Sequence, residues 1–206
     1  MRTLVNPGEK CVICLPGNNP GGVVDLLVKG LSALGAVPII YGSIDNLQAA
    51  WQFLEREKPH CLVAMPVQIL ALCRSRFAPK QFYLPKILFS ADVLAKSIVE
   101  EITQKWQCTV YHHYGMTEMG YGGALSCFDD SFHMHTRAMD LYFEIVDVQT
   151  GQLLKEGEMG EIVFSTLNRR GMPLLRYRTG DMGRMKKKLC PCGYKAPVLY
   201  DVQGRI

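Results

Sequence analysis

The amino-acid sequence predicts an α/β fold: a mainly parallel sheet with flanking helices over residues ~10–115, continuing into a β-rich antiparallel part over ~138–200. Short apolar runs alternate with amphipathic stretches as far as residue 111, which implies βαβ units and parallel strands. From about residue 140 the texture changes to strand, turn, strand. The polar stretch YHHYGMTEMG (111–120) follows directly on the last strand of the first series. In open α/β sheets that position, beyond the strands' carboxyl ends, is where ligands bind. On this reading residues 1–137 form an α/β core and 138–206 a β-rich subdomain.

Each element has its own signal. KCVICLP is a buried-type strand. After the loop GNNPGG, Val23, Leu27, Leu31 and Leu34 recur at helical spacing, and Gly35 suits the helix C-terminus. VPIIYG is the next strand. NLQAAWQFLEREK puts Leu47, Ala50, Trp51 and Leu54 on one helical face, and Pro59 ends it. HCLVAM is a strand, and Pro66 fits the first turn of the helix PVQILALCRSRF. KILFS leads to DVLAKSIVEEITQKW, where Leu94, Ile98, Ile102 and Trp106 stand four apart; CTVYHHYG closes the series. Further on, DLYFEIVD, the turn VQTGQ, GEIVFSTL and RYRTGDMGRM read as antiparallel strands.

Composition narrows the class. A chain of 206 residues with 48% hydrophobic and 20% charged residues has a globular balance. The net charge of +4 is mild and its basic residues are scattered, except at Lys186-Lys187-Lys188, which reads as a solvated hairpin edge. This argues against a nucleic-acid partner. No apolar run approaches the ~18–20 residues a bilayer span needs, and MRTLVNPGEK carries no apolar signal core. Eight cysteines are then expected in a reducing cytoplasm, as core thiols or metal ligands.

Four polar features could carry chemistry. In GNNPGG, Gly17 and Gly22 stand at P-loop spacing, but Val23-Val24 replace the phosphate-gripping lysine and its hydroxyl neighbour, so the loop reads as a strand-to-helix turn. In YHHYGMTEMG, His112 and His113 are adjacent on a strand and point to opposite sides, which disfavours their sharing one ion. Tyr114-Gly115 followed by Thr117 and Glu118 could serve a nucleotide: glycine admits close backbone approach, a hydroxyl can bond a phosphate oxygen, and a carboxylate can hold Mg2+. In LLRYRTGD, Asp181 after a glycine turn could grip a ribose diol, or the segment could be a hairpin with a charged rim. Finally, Cys190 and Cys192 in CPCG could join Cys127 and His133, with His135 nearby, in a tetrahedral zinc site. The alternative there is two exposed thiols in a turn.

Taken in order, Tyr114-Gly115-Met116-Thr117-Glu118, Gly160-Glu161-Ile162-Val163, Tyr177-Arg178-Thr179-Gly180-Asp181 and Gly204-Arg205 resemble successive core motifs of the adenylate-forming (acyl-activating) superfamily. LFSADVL, and GEIVFSTLNRRGMPLLRYRTGD followed by CPCG, are most similar to its phenylacetate–CoA ligase-like branch. The resemblance implies a ligase activity: a carboxylate and Mg2+-ATP give an acyl-adenylate, and CoA then displaces AMP to form a thioester. It implies that Ser90-Ala91-Asp92 and His112-His113-Tyr114, with Gly115 and Met116, line the adenine and acyl pockets. Thr117 would bond phosphate, Glu118 would hold Mg2+, and Asp181, assisted by Arg205, would bind the ribose hydroxyls. Catalysis would be mainly positioning and charge stabilisation.

The same resemblance places a Ser/Thr/Gly-rich phosphate loop upstream of residue 1 and a lysine-bearing domain beyond Gly204-Arg205. The expectation is therefore a middle segment that keeps nucleotide contacts but activates acids weakly or not at all alone. A non-catalytic binding or scaffold module needing a complementary chain, or self-associating, is the alternative. The apolar stretch Ala64-Met65-Pro66-Val67 suits an aryl or aliphatic acid, or a strand end packed into a helix, without choosing between them.

Overall fold

The computed structural model describes residues 4–90, 94–120, 122–127, 130–187 and 190–205. Its elements are β1 (Lys10–Cys14), α1 (Val23–Ala33), β2 (Val37–Ile40), α2 (Leu47–Glu57), β3 (Cys61–Ala64), α3 (Pro66–Arg74), β4 (Lys86–Phe89), α4 (Lys96–Trp106), β5 (Thr109–Tyr114), a 3-10 turn (Thr117–Met119), β6 (Ala124–Ser126), β7 (Met134–Thr136), β8 (Leu141–Val146), β9 (Gly160–Thr166), β10 (Tyr177–Lys186) and β11 (Val198–Arg205). Parallel strands are followed by antiparallel ones, as expected. None of the described helices is long and apolar enough to cross a membrane. The chain packs as two compact units, Met1–Tyr111 and His112–Ile206.

In the first unit β1 lies between β2 and β3, and β3 pairs with β4, all in parallel. The Thr109 amide at the start of β5 donates to the Pro85 carbonyl (2.9 Å). Helices cover parallel strands on both faces, and Cys11, Val12, Ile13, Leu62, Ile87 and Phe89 are accordingly buried without polar alternation. The GNNPGG loop is a turn into α1: Gly17 and Gly21 have positive φ, and the Gly21 N–H donates to Asp25 Oδ2 (2.8 Å) in the first turn of the helix. Asn46 caps α2 by accepting from the Ala49 N–H (3.0 Å). Lys58 in the left-handed region ends α2 one residue before Pro59.

Trp51 organises the helical layer. It is 2% exposed, and its Nε1 donates to the Leu72 carbonyl (3.1 Å) and to Ser75 Oγ (3.0 Å). Phe82 and Trp106 meet its ring edge-on at 4.8 and 5.6 Å. Indole therefore ties α2 to the C-terminal turn of α3 and to α4.

In the second unit the strand order is β5-β6-β7-β11-β10-β9-β8, with each of these neighbours paired antiparallel. Tyr114, Met119, Met134, Phe143, Ile162, Phe164 and Leu199 form its core. The short strands β6 and β7 and the longer β11 have no counterpart in the sequence reading. Residues 112–137, grouped there with the α/β part, pack in this second unit, because β7 pairs with β11 (His135 with Val198, Met134 with Leu199). At Gly160 a Cβ would stand 2.4 Å from the Val146 carbonyl oxygen, so the close approach of β9 to β8 needs glycine.

Two substitutions test this packing by denaturant titration. Trp51→Ala should cost about 3–5 kcal/mol. Trp51→Phe should cost less, because it keeps an aromatic ring in the layer while losing the indole hydrogen bonds and part of the ring volume. Equal effects would show that the hydrogen bonds, not the ring packing, hold the layer.

Candidate functional site

The second unit brings the motif after β5 against the turn inside β10. Tyr114, the last residue of β5, is 8% exposed, and its phenol donates to Asp181 Oδ2 (2.8 Å). Burial pushes the Tyr114 phenol up, and the neighbouring Asp181 carboxylate adds to the effect, so the group stays a hydrogen-bond donor. Across the β10–β11 ladder Asp181 faces Arg205, and the pairing is irregular between Asp181 and Arg184. Such a bulge re-aims side chains locally.

The turn that presents Asp181 is built from buried polar groups. Thr179 Oγ1 donates to the Ile162 carbonyl (2.7 Å) and accepts from the Asp181 N–H (3.0 Å). The Gly180 N–H donates to Glu161 Oε1 (3.0 Å), and Gly180 has φ +76°, a conformation that favours glycine. Glu161, 3% exposed, also accepts from Arg178 Nε (2.7 Å), while Arg178 Nη2 contacts the same carboxylate and donates to the Val148 carbonyl (2.6 Å). A buried carboxylate is tolerable because it is paired and hydrogen-bonded at both oxygens.

The Thr117–Met119 turn is fixed through its carbonyls. Arg169 Nη1 donates to the Glu118 carbonyl, and Arg137 Nη2 to the Met119 carbonyl, each at 2.6 Å. Arg137 is itself held by Asp140 Oδ1 (2.7 Å). The hydroxyl-bearing Thr117 is exposed, and the Glu118 side chain is half-buried with Tyr177 OH 3.5 Å from its Oε1. Gly123 closes the loop: its N–H donates to the Tyr114 carbonyl (2.8 Å), and a Cβ there would meet Met119 Sδ at 2.4 Å.

Of the residues singled out by sequence, His113, Tyr114, Gly115, Met116, Thr117, Glu118, Asp181 and Arg205 all lie in this unit. Tyr114 and Asp181 are in direct contact, and Asp181 and Arg205 are cross-strand partners. Met116 packs against the core. His113 is half-buried on β5, and burial lowers its imidazole pKa and keeps it neutral. The His112 N–H donates to Ser126 Oγ (2.8 Å). Ser90 is buried at the end of β4 in the first unit, whereas Ala91 and Asp92 lie outside the described residues. In the apolar stretch Ala64 is fully buried and Val67 is 53% exposed.

Arg137 and Arg169 have no counterpart in the sequence reading. The role of each depends on a carbonyl distant in sequence, and NRRG at 168–171 offers two arginines with no local means of choosing.

The thiol cluster differs from the expected set in one ligand. One ligand atom from each of Cys127, His135, Cys190 and Cys192 lies within 4.8 Å of the others. The histidine is His135, in place of the expected His133. His133 Nδ1 pairs with Asp130 Oδ2 (2.9 Å), and its Nε2 lies 3.3 Å from Lys186 Nζ, so both ring nitrogens are engaged elsewhere.

Removing the carboxylate under the Asp181 turn should be costly. Glu161→Ala leaves the Gly180 N–H and Arg178 without their acceptor and should destabilise the second unit by about 1.5–3 kcal/mol in denaturant titration. Glu161→Gln should retain part of that. A loss below about 0.5 kcal/mol for Glu161→Ala would show that the turn does not depend on it.

The chain is 29% identical over 180 residues to a phenylacetate-coenzyme A ligase of Thermus thermophilus, an alignment covering 85% of this chain and 40% of that protein. It is 33% identical over 99 residues to a phenylacetate-coenzyme A ligase of Escherichia coli, covering 48% of this chain and 23% of the relative. The chain thus spans less than half the length of these curated relatives. Among solved structures, a 2-hydroxyisobutyryl-CoA ligase in the postadenylation state, in complex with 2-HIB-AMP, superposes with a TM-score of 0.86 at 22% identity, over 98% of this chain and 44% of that one. This likeness establishes the shared fold. The model of the AMP-binding enzyme family matches residues 5–168, most of the chain, and the protein belongs to that family.

Proposed function

We propose that these residues form the nucleotide-binding core of an ATP-dependent carboxylate-activating enzyme that makes an acyl-adenylate and then a CoA thioester. The observation that carries the reading is the Asp181 carboxylate, presented on a locked turn, hydrogen-bonded by Tyr114 and opposite Arg205. An ionised carboxylate has about four acceptor positions. Tyr114 uses one at Oδ2, and a ribose diol needs two.

In the proposed reaction a carboxylate oxygen of the acid attacks the α-phosphorus of ATP, and pyrophosphate leaves with the electron pair of the broken P–O bond. The CoA thiol, giving up its proton, then attacks the carbonyl carbon and AMP departs. Thr117 would bond a phosphate oxygen and Glu118 would hold Mg2+, both carried on a turn that Arg137 and Arg169 hold in place. His113, Tyr114, Gly115 and Met116 would line the adenine and acyl side. The adenylate named for the solved ligase supports this chemistry, and the relatives' names favour an aryl-type acid. Eight cysteines without disulfides suit a reducing cytoplasm.

Calorimetric titration of the 206-residue chain with AMP tests the reading. AMP should bind, and Asp181→Ala should weaken it roughly 10- to 100-fold, the equivalent of about 1.5–3 kcal/mol for charge-assisted hydrogen bonds. Tyr114→Phe should weaken it less. Unchanged AMP affinity in Asp181→Ala would sink the ribose assignment.

A second measurement addresses the metal role and the activity. Glu118→Gln should leave AMP affinity unchanged while removing the enhancement of ATP binding by Mg2+. Pyrophosphate exchange by this chain alone should be absent or weak, because the chain spans less than half the length of the ligases it resembles. Robust exchange would contradict the proposal that these residues supply binding and need further parts for turnover.

A further inference from the structure

We infer that Cys127, His135, Cys190 and Cys192 hold a single zinc ion in a closed tetrahedral site of three thiolates and one imidazole. The inference does not depend on the nucleotide reading, since none of the four residues takes part in it.

The four ligand atoms lie within 4.8 Å of one another, and two of their separations are close to those of a tetrahedron around zinc. Zn–S bonds of about 2.3 Å and a Zn–N bond of about 2.0–2.1 Å place two sulfurs about 3.8 Å apart, and a sulfur and a nitrogen about 3.5 Å apart. Cys127 Sγ lies 3.7 Å from Cys190 Sγ, and Cys192 Sγ lies 3.3 Å from His135 Nε2. A disulfide would instead need two sulfurs at about 2.05 Å, and all three cysteines are thiols. Three thiolates with one imidazole form a soft donor set that favours zinc over Mg2+ or Ca2+. Four protein ligands leave no open coordination position, so the ion would be structural.

The donors come from three places in the strand order. Cys127 follows β6, His135 lies within β7, and Cys190 and Cys192 sit in the loop between β10 and β11. Backbone pairing already brings them near: the Cys127 N–H donates to the His133 carbonyl (2.9 Å), and His135 pairs with Val198 at the start of β11. The ion would staple the loop end of the β10–β11 hairpin to β6 and β7. The other end of the same hairpin carries Asp181 and Arg205. Nearby His133 is held by Asp130 and Lys186 and stays outside the coordination sphere.

Metal analysis of the intact chain, purified without chelator from zinc-supplemented cells, should find one zinc per chain. Cobalt substitution should give thiolate-to-metal charge-transfer bands and the intense visible bands of a tetrahedral site. His135→Ala should abolish the tetrahedral cobalt spectrum and weaken zinc by at least about 10- to 100-fold, with Cys192→Ser acting similarly and His133→Ala leaving both unchanged. If His135→Ala fails to fold, adding cobalt to wild-type chain stripped by a chelator still decides the matter through the charge-transfer bands. No zinc and no such bands in the wild type, a Cys127–Cys190 disulfide in freshly purified protein, or equal losses in His133→Ala and His135→Ala would each overturn the assigned site.

Discussion

The candidate site depends on one buried carboxylate. Glu161 sits on β9 with its charge almost fully removed from water, a placement that would be strongly unfavourable without partners. Its partners are Arg178 and the Gly180 N–H, both on the adjacent strand β10. Satisfying Glu161 therefore constrains the backbone of the residue immediately before Asp181. Thr179 adds a second constraint from the same strand pair, bridging the Ile162 carbonyl and the Asp181 N–H. Asp181 is thus aimed by its supports, and such preorganisation would limit the ordering cost of the proposed ribose binding.

The same logic extends outward through two further contacts. Tyr114 links the end of β5 to Asp181, so the strand that carries the motif and the turn that carries the carboxylate share one hydrogen bond. Arg137 and Arg169 reach the carbonyls of Met119 and Glu118 and fix a turn too short to be stable by itself. The side chains of Thr117 and Glu118 are left unused by these supports, since the arginines bond backbone oxygens. The β10–β11 hairpin carries the Asp181–Arg205 pair at one end and the thiol cluster at the other.

Much of the fold was legible because periodic patterns encode burial. Leu47, Ala50, Trp51 and Leu54 declared α2, and Pro66 declared the start of α3, before any contact was known. Three-residue strands such as β6 and β7 are too short to show a period, and β11, VLYDVQGR, mixes polar and apolar residues because half of its length is exposed. These are the strands that assign residues 112–137 to the second unit. In the site, Tyr114, Asp181 and Arg205 could be picked out from their motifs. Arg137 and Arg169 could not, since a side chain that bonds a distant carbonyl leaves no mark on its own neighbours. His133 and His135, two residues apart, were equivalent in sequence. Strand pairing set His135 against Cys192, and Asp130 with Lys186 claimed His133.

By itself, the sequence determined the alternation of strands and helices, the change to antiparallel pairing, and the residue types available for nucleotide and metal chemistry. Those properties are local, set by side-chain periodicity, turn residues and functional groups within a few positions. Tertiary structure decided that Glu161 lies beneath the Asp181 turn, that Tyr114 reaches Asp181, and which histidine joins the thiols. Each of these is a pairing between segments tens of residues apart, and the pairing becomes definite only when strand register brings the partners within hydrogen-bonding distance.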